Sequence, residues 1–227
     1  MRRLLLFDID GTLVRGGPAK GAFHAALVET FGTAGDIEVH DFAGKTDPQI
    51  ARELLRGHGV DDADIDAGFP RLWDRYLHHL GDRLPAHPMN VLPGVASLLE
   101  ALSGRAGVAL GLLTGNIVRG AELKLRSVGL FDHFRTGSYG SDSEIRNDLA
   151  PIALRRARET WQVDFDPGDA WVVGDTPADI HCGRAGGTHT LGVATGRYGT
   201  DALAAAGADV VLHDLADTGR AVALLLG

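Results

Sequence analysis

The strongest constraint on this chain is a short, almost wholly apolar run that recurs along it. Residues 4–9 read Leu-Leu-Leu-Phe-Asp-Ile and lead into Asp10 and Gly11. Residues 108–113, 170–173, 188–193 and 209–212 are similar, each with Gly, Asp or Thr close behind, and residues 134–138 form a weaker copy. Runs of this length that do not alternate with polar residues suit strands buried on both faces of a parallel sheet. Helical patterns lie between them. Val95, Leu98, Leu99 and Leu102 fit one helix face, and Val118, Ala121, Leu125 and Val128 fit another, stopped by Gly129. Asp148 reads as the cap of a helix carrying Ile152, Ala153 and Ala157, and Asp214 as the start of a last one. Such alternation predicts an α/β fold with a doubly wound, Rossmann-like parallel sheet, whose ligands bind at the carboxyl ends of the strands.

Residues 16–89 break the alternation. Ala22, Phe23, Ala26, Leu27 and Phe31 mark an amphipathic helix with no strand before it. Asp47-Pro48 reads as an N-cap and N1 pair for a second helix, and Phe69, Leu72, Tyr76 and Leu80 mark a third. The division expected is a core of residues 1–15 and 90–227 with an all-helical module, 16–89, inserted after the first strand.

Charge and composition exclude several classes. Lys and Arg number 22 against 30 Asp and Glu, a formal charge of −8, opposite to the basic footprint of a nucleic-acid binder or a protein held on anionic membranes. With Cys182 as its single cysteine, the chain can form neither an internal disulfide nor a Cys-based zinc site. No apolar run approaches the ~18–20 residues of a membrane span, and the run near the N-terminus is too short for a signal-peptide core. A cytoplasmic protein, monomer or homodimer, is expected.

The chemistry-bearing residues sit where the strands end. Asp8-Ile9-Asp10-Gly11-Thr12 closes the first run. In extended chain Asp8 and Asp10 point the same way, and two close carboxylates share a proton unless a cation intervenes. Thr114-Gly115-Asn116 brings a hydroxyl and free N–H groups to a helix start, suited to phosphate oxygens, though a plain helix cap uses the same residues. Gly174-Asp175-Thr176-Pro177-Ala178-Asp179 adds two carboxylates. Asp179 fits a capping box, whereas turn chemistry does not account for Asp175. Cys182 reads as a small buried hydrophobe, and Trp73 and Trp161 as packing residues.

In this order and spacing, Asp-x-Asp-Gly-Thr, Thr-Gly-Asn and Gly-Asp-Thr-x-x-Asp resemble the haloacid dehalogenase superfamily of aspartate-based phosphohydrolases, most of all its phosphoglycolate phosphatase-like branch, with the helical insert where that branch carries its cap. The resemblance implies that Asp8 attacks phosphorus and Asp10 protonates the leaving alcohol, then activates water. It further implies Mg²⁺ held by Asp8, the Asp10 carbonyl and Asp175, with Asp179 in support and phosphoryl oxygens bound by Thr114, Gly115 and Asn116. Asp10 favours a phosphate ester over a carbon–halogen bond, which has no alcohol to protonate.

The family's usual motif lysine is missing, since none follows Lys124. Arg146 is the first candidate replacement, ahead of Arg155 and Arg156, since at a helix entry it can reach a carboxylate and a phosphate together; a solvated surface arginine is the alternative reading. Gly44-Lys45-Thr46-Asp47 resembles the loop that in this branch reaches down over the active site, which implies that Lys45 binds the far end of a small phosphorylated metabolite; a solvated lysine is the alternative reading. A phosphomutase, a phosphonoacetaldehyde hydrolase-like enzyme and a non-catalytic phosphate-binding protein remain alternatives. Turnover of a panel of phosphate esters separates them from a phosphatase.

Overall fold

The computed structural model describes residues 2–227. The chain begins with β1 (Arg3–Phe7) and β2 (Val14–Gly16), then runs through α1 (Ala19–Phe31), α2 (Asp47–Arg56) and α3 (Asp62–Arg83) to β3 (Met89–Val91). There follow α4 (Val95–Leu102), β4 (Val108–Thr114), α5 (Val118–Arg126), β5 (Thr136–Tyr139) and α6 (Leu149–Trp161). The remainder is β6 (Ala170–Gly174), α7 (Pro177–Ala185), β7 (His189–Val193), α8 (Thr200–Ala205), β8 (Val210–Leu212) and α9 (Thr218–Leu226).

Six strands form one parallel sheet in the order β5-β4-β1-β6-β7-β8. The central strand explains the layers. Leu4 and Leu6 point to one face, among Leu113, Ala150, Ala153, Val172 and Cys182. Leu5 and Phe7 point to the other, among Leu99, Leu110, Leu112 and Val173. These four apolar side chains of β1 are fully buried, each contributing about 1.5–3 kcal/mol, and truncating Leu6 to Ala costs about 2–5 kcal/mol. After β1 the sheet grows outward through β4 and β5, then returns to the other side of β1 through β6. That reversal opens a crevice at the carboxyl ends of β1, β4 and β6.

The helical segment joins the core through a two-stranded antiparallel ribbon in which Val14 pairs with Val91 and Gly16 with Met89. Within the segment, α1 packs on α3. The Phe23 ring stacks on Trp73 at 6.1 Å and meets Tyr76 edge-on at 5.3 Å, so Trp73 is a packing residue. The buried side chains of all three helices are continuous with the Leu5 and Phe7 face of the core.

Several elements differ from their sequence pattern. The third helix starts at Asp62 and carries Pro70 within it, although an internal proline normally breaks a helix. The burial of Ile65 and Leu72 on either side carries it through. Asp148 precedes α6 without capping it, because its carboxylate accepts from the Ser143 hydroxyl at 2.7 Å. Asp217, not Asp214, caps α9, accepting the Arg220 N–H at 3.0 Å. On α5, Val118 is exposed, and Lys124 lies on the buried face with Ala121 and Leu125. The second helix is displaced by one residue with functional effect: Thr46 is its N-cap, accepting the Gln49 N–H at 3.2 Å, which leaves the Asp47 carboxylate free for another task.

Candidate active site

Each strand end delivers its side chain to the crevice. Beyond β1, the Asp8 N–H still donates to the Val173 carbonyl at 2.9 Å, extending the sheet by one residue. The chain then turns: the N–H groups of Leu13 and Val14 donate to the Ile9 carbonyl at 2.9 and 3.0 Å. Gly11 adopts a φ of +89°, which a side chain strains, and a Cβ there would lie 2.7 Å from Asp175 Oδ1. A Cβ at Gly196, after β7, would lie 2.7 Å from Asp175 Cγ. Glycines on both sides thus make room for the Asp175 carboxylate.

The turn separates the two aspartates of the first motif. Asp8 is buried, and its Oδ1 accepts from Arg146 Nη2 at 3.1 Å. The same nitrogen donates to Asp179 Oδ1. Arg146 stands in a short 3₁₀ turn ahead of α6, almost wholly buried. Asp179 is occupied elsewhere as well, its Oδ2 accepting the Thr176 N–H at 3.0 Å and hydroxyl at 2.7 Å. It closes the capping box of α7 and anchors Arg146.

Asp8, Asp175 and Asp179 gather ligand oxygens within 4.8 Å of one another, all buried. Burial, then repulsion from Asp179, pushes the Asp8 carboxyl up to about 7, Arg146 opposing. Burial, then Asp179 and Asp8, pushes Asp175 up to about 8, with the Thr12 hydroxyl donating at 3.1 Å in opposition. One guanidinium against three carboxylates leaves the cluster short of positive charge. Hard oxygen donors with unmet negative charge suit a small divalent cation, and Asp8 and Asp175 are the carboxylates with coordination capacity to spare.

Asp10 faces a different group of residues. Its Oδ2 accepts from Asn116 Nδ2 at 2.7 Å and from Lys124 Nζ at 2.7 Å. Lys124 also donates to Asn116 Oδ1 at 2.6 Å, and Asn116 Nδ2 to Thr114 Oγ1 at 2.8 Å. Both amide protons of Asn116 are thereby used within the protein. Thr114, at the end of β4, is fully buried. Its hydroxyl oxygen accepts from Asn116, while its own proton has no acceptor among the described residues. Lys124 did not stand out as a site residue in the sequence, yet it lies between Ala121 and Leu125 on the apolar face of α5, and a lysine on that face is the signal for it.

The cap-side loop descends onto Gly115. A Cβ there would approach the Lys45 backbone and lie 3.0 Å from Arg146 Nη1. The Asp47 N–H donates to the Gly115 carbonyl at 2.7 Å, and Asp47 Oδ2 accepts the Ile117 N–H at 2.8 Å. The displaced N-cap therefore frees Asp47 to tie α2 to the start of α5. Burial pushes the Asp47 carboxyl up to about 6, opposed first by Lys124 and then by the Ile117 N–H. The Thr46 hydroxyl donates to the Glu144 carbonyl at 2.9 Å. Lys45 is paired with Glu53.

Between core and helical segment lies a cavity of about 380 Å³. Asp8, Asp10, Arg146 and Asp175 line its core side, and Phe23, Phe42, Lys45, Ile50 and Tyr76 its other walls. The site residues expected from the strand ends thus converge around one space, with Asp179 behind Arg146 and Thr114 behind Asn116. No helix among the described residues is long and apolar enough to cross a membrane.

Comparison with known proteins agrees with this geometry. A profile of haloacid dehalogenase-like hydrolases matches residues 3–187. The chain is 30% identical over 224 residues to a phosphoglycolate phosphatase of Rhodospirillum rubrum, covering 96% of this chain and 90% of the relative. It is 31% identical over 222 residues to one of Synechococcus elongatus, covering 98% of each. In fold it is similar to CbbY from Rhodobacter sphaeroides in complex with phosphate, with a TM-score of 0.72 and 20% identity over 96% of this chain and 97% of that one. With a profile match over most of its length, the strand-end aspartates in place and full-length relatives at this identity, the chain belongs to the haloacid dehalogenase-like hydrolases.

Proposed function

We propose that this hydrolase is a Mg²⁺-dependent phosphatase that cleaves a small phosphomonoester, of the phosphoglycolate kind, through an aspartyl-phosphate on Asp8. The observation that carries the reading is the buried cluster of Asp8, Asp175 and Asp179 around Arg146 at the carboxyl ends of β1 and β6. Two relatives that match along the whole chain bear the name phosphoglycolate phosphatase, which supports the substrate class.

Asp8 and Asp175, with the Asp10 carbonyl, would hold the metal. When bound, Mg²⁺ offsets the negative charge that nucleophile and substrate bring together. An Asp8 oxygen forms a bond to phosphorus in line with the leaving oxygen, as the bond from phosphorus to the alcohol breaks. Asp10 gives the departing oxygen its proton and then takes one from the water that attacks the phosphoryl-Asp8. That attack releases inorganic phosphate and regenerates the Asp8 carboxylate.

Arg146, anchored by Asp179 and bordering the cavity, binds a phosphoryl oxygen, and Thr114 supplies its uncommitted hydroxyl proton, with the Gly115 and Asn116 backbone alongside. Residues 16–89 act as a cap over the core formed by 1–15 and 90–227. The 14–16 and 89–91 ribbon serves as the hinge, the cap excludes bulk water when closed, and Lys45 meets the substrate's far end. The enzyme works in the cytoplasm as a monomer or homodimer.

The test is phosphate release from a panel of small esters, with and without Mg²⁺, for the wild type and Asp8→Asn. Metal-dependent release lost in Asp8→Asn supports the proposal; no release from any ester contradicts it.

A further inference from the structure

The hydrogen bonds around Asp10 go beyond the assignment of a proton donor. Oδ2 accepts two protons, from Lys124 and Asn116, both at 2.7 Å. Oδ1 has no partner among the described residues, and Asp10 borders the cavity. With both donors pointing at Oδ2, a proton on the Asp10 carboxyl resides on Oδ1, the oxygen that neither donor occupies.

Both donors are fixed. Lys124 is buried on α5 beside Ala121 and Leu125, and its ammonium is held a second time by Asn116 Oδ1 at 2.6 Å. Asn116 is held in turn by Thr114. Stability alone does not account for a buried lysine here: an apolar side chain of similar volume serves a helix face as well or better, because desolvating the ammonium offsets much of the attraction. A buried charge aimed at one oxygen of a half-exposed carboxylate does select one orientation.

We infer that Lys124, acting with Asn116, is a positioning residue that clamps Asp10 by Oδ2 and so presents the proton on Oδ1 to the leaving oxygen of the ester. The inference rests on the reading of Asp10 as the proton donor. During cleavage the Oδ1 proton moves to the alcohol oxygen as its bond to phosphorus breaks. The Asp10 carboxylate left behind retains both clamp hydrogen bonds. Lys124 gives up no proton.

The leaving group tests this directly. A dinitrophenolate departs from phosphorus without protonation, whereas an alkoxide requires it. The ratio kcat/KM covers the steps up to departure of the leaving group and excludes the later attack of water, which is common to both esters. It is measured for the wild type, Lys124→Met, Asn116→Ala and Asp10→Asn, on the best alkyl phosphate of the panel and on 2,4-dinitrophenyl phosphate. Expected for Lys124→Met is a loss of about 10–100-fold on the alkyl ester, part of the roughly 10²–10⁴-fold that general acids supply, and of less than about threefold on the dinitrophenyl ester.

Asn116→Ala carries the same selectivity at smaller amplitude and serves if Lys124→Met does not fold. Equal losses on both esters, or none on either, while Asp10→Asn remains selective, overturn the clamp alone. If Asp10→Asn itself shows no dependence on the leaving group, the assignment of the proton donor falls and the clamp with it.

Discussion

Asp8 and Asp10 are two residues apart in the chain and occupy two unlike regions of the site. Asp8 sits in a buried, charge-dense pocket where the ends of β1 and β6 meet the start of α7 and the turn before α6: Asp179 and Asp175 repel it, and Arg146 is the cation that reaches it. Asp10 lies at the edge of the cavity, half exposed, held through one oxygen by a lysine and an asparagine from the next strand–helix unit. The expectation of two aligned carboxylates sharing a proton or a cation gives way to two carboxylates with a cation each. The chain leaves the strand after Asp8 and turns between Ile9 and Val14, and in the proposed reaction each region suits one half of the chemistry. The first would bring a carboxylate to a metal and to phosphorus, and the second would handle a proton.

The sharpest way to break this division is to remove the proposed nucleophile. Asp8→Asn lowers kcat at least about 10³-fold on every ester, whatever the leaving group, measured as phosphate release. Arg146 comes next. Arg146→Met lowers kcat about 10²-fold by removing a fixed donor to the phosphoryl group, and Arg146→Lys keeps the charge and loses less. A retained rate in Arg146→Met contradicts its place in the Asp8 pocket.

The pocket's surplus of negative charge is visible in stability. Asp8 and Asp175 have folded pKa values near 7 and 8, above the ordinary carboxylate value of 3.8. The folded state therefore binds more protons than the unfolded state between about pH 4 and 8. Their contribution to stability is complete below the unfolded value and is lost as pH rises through the folded ones. Tm of the metal-free protein falls over that window, and saturating Mg²⁺ flattens the profile by binding the folded state. Asp175→Asn flattens it without metal. A metal-free Tm that rises across the window contradicts the reading.

The smallest expected effects are on the cap side. Gly115→Ala pushes the descending loop off the core and raises KM, with kcat changed less than by any variant of Asp8 or Arg146. Thr46→Ala, removing the cap of α2, costs about 1 kcal/mol, or about 2–4 °C in Tm for a chain of this size.

The centre of the core and its pocket were legible in the sequence because β1, β4 and β6 are largely apolar runs and a polar residue of the site ends or directly follows each of them. Asp8, Thr114 and Asp175 are all of this type. The cap side was harder to read for physical reasons. Which residue caps α2 depends on where Thr46 and Asp47 find partners in the core, and those partners lie in segments far away in the chain. Lys124 was hidden because a charged residue on a helix is ordinarily solvated. Its position on the apolar face of α5 was the available signal, and Asp10, its partner, is 114 residues away in sequence. Arg146 was found through the absence of a lysine, and the fold places it against both Asp8 and Asp179.

The measurement closest to the central claim is an acid quench of the enzyme during turnover of its best alkyl ester with Mg²⁺, followed by peptide mass spectrometry. Expected is a phosphoryl group on the peptide containing Asp8, at its Asp8 carboxylate, absent from Asp8→Asn and removed by hydroxylamine as an acyl phosphate. Turnover at full rate with no phosphoryl group on Asp8 at any quench time, including in Asp10→Asn, where attack by water is slowed, would contradict the covalent route.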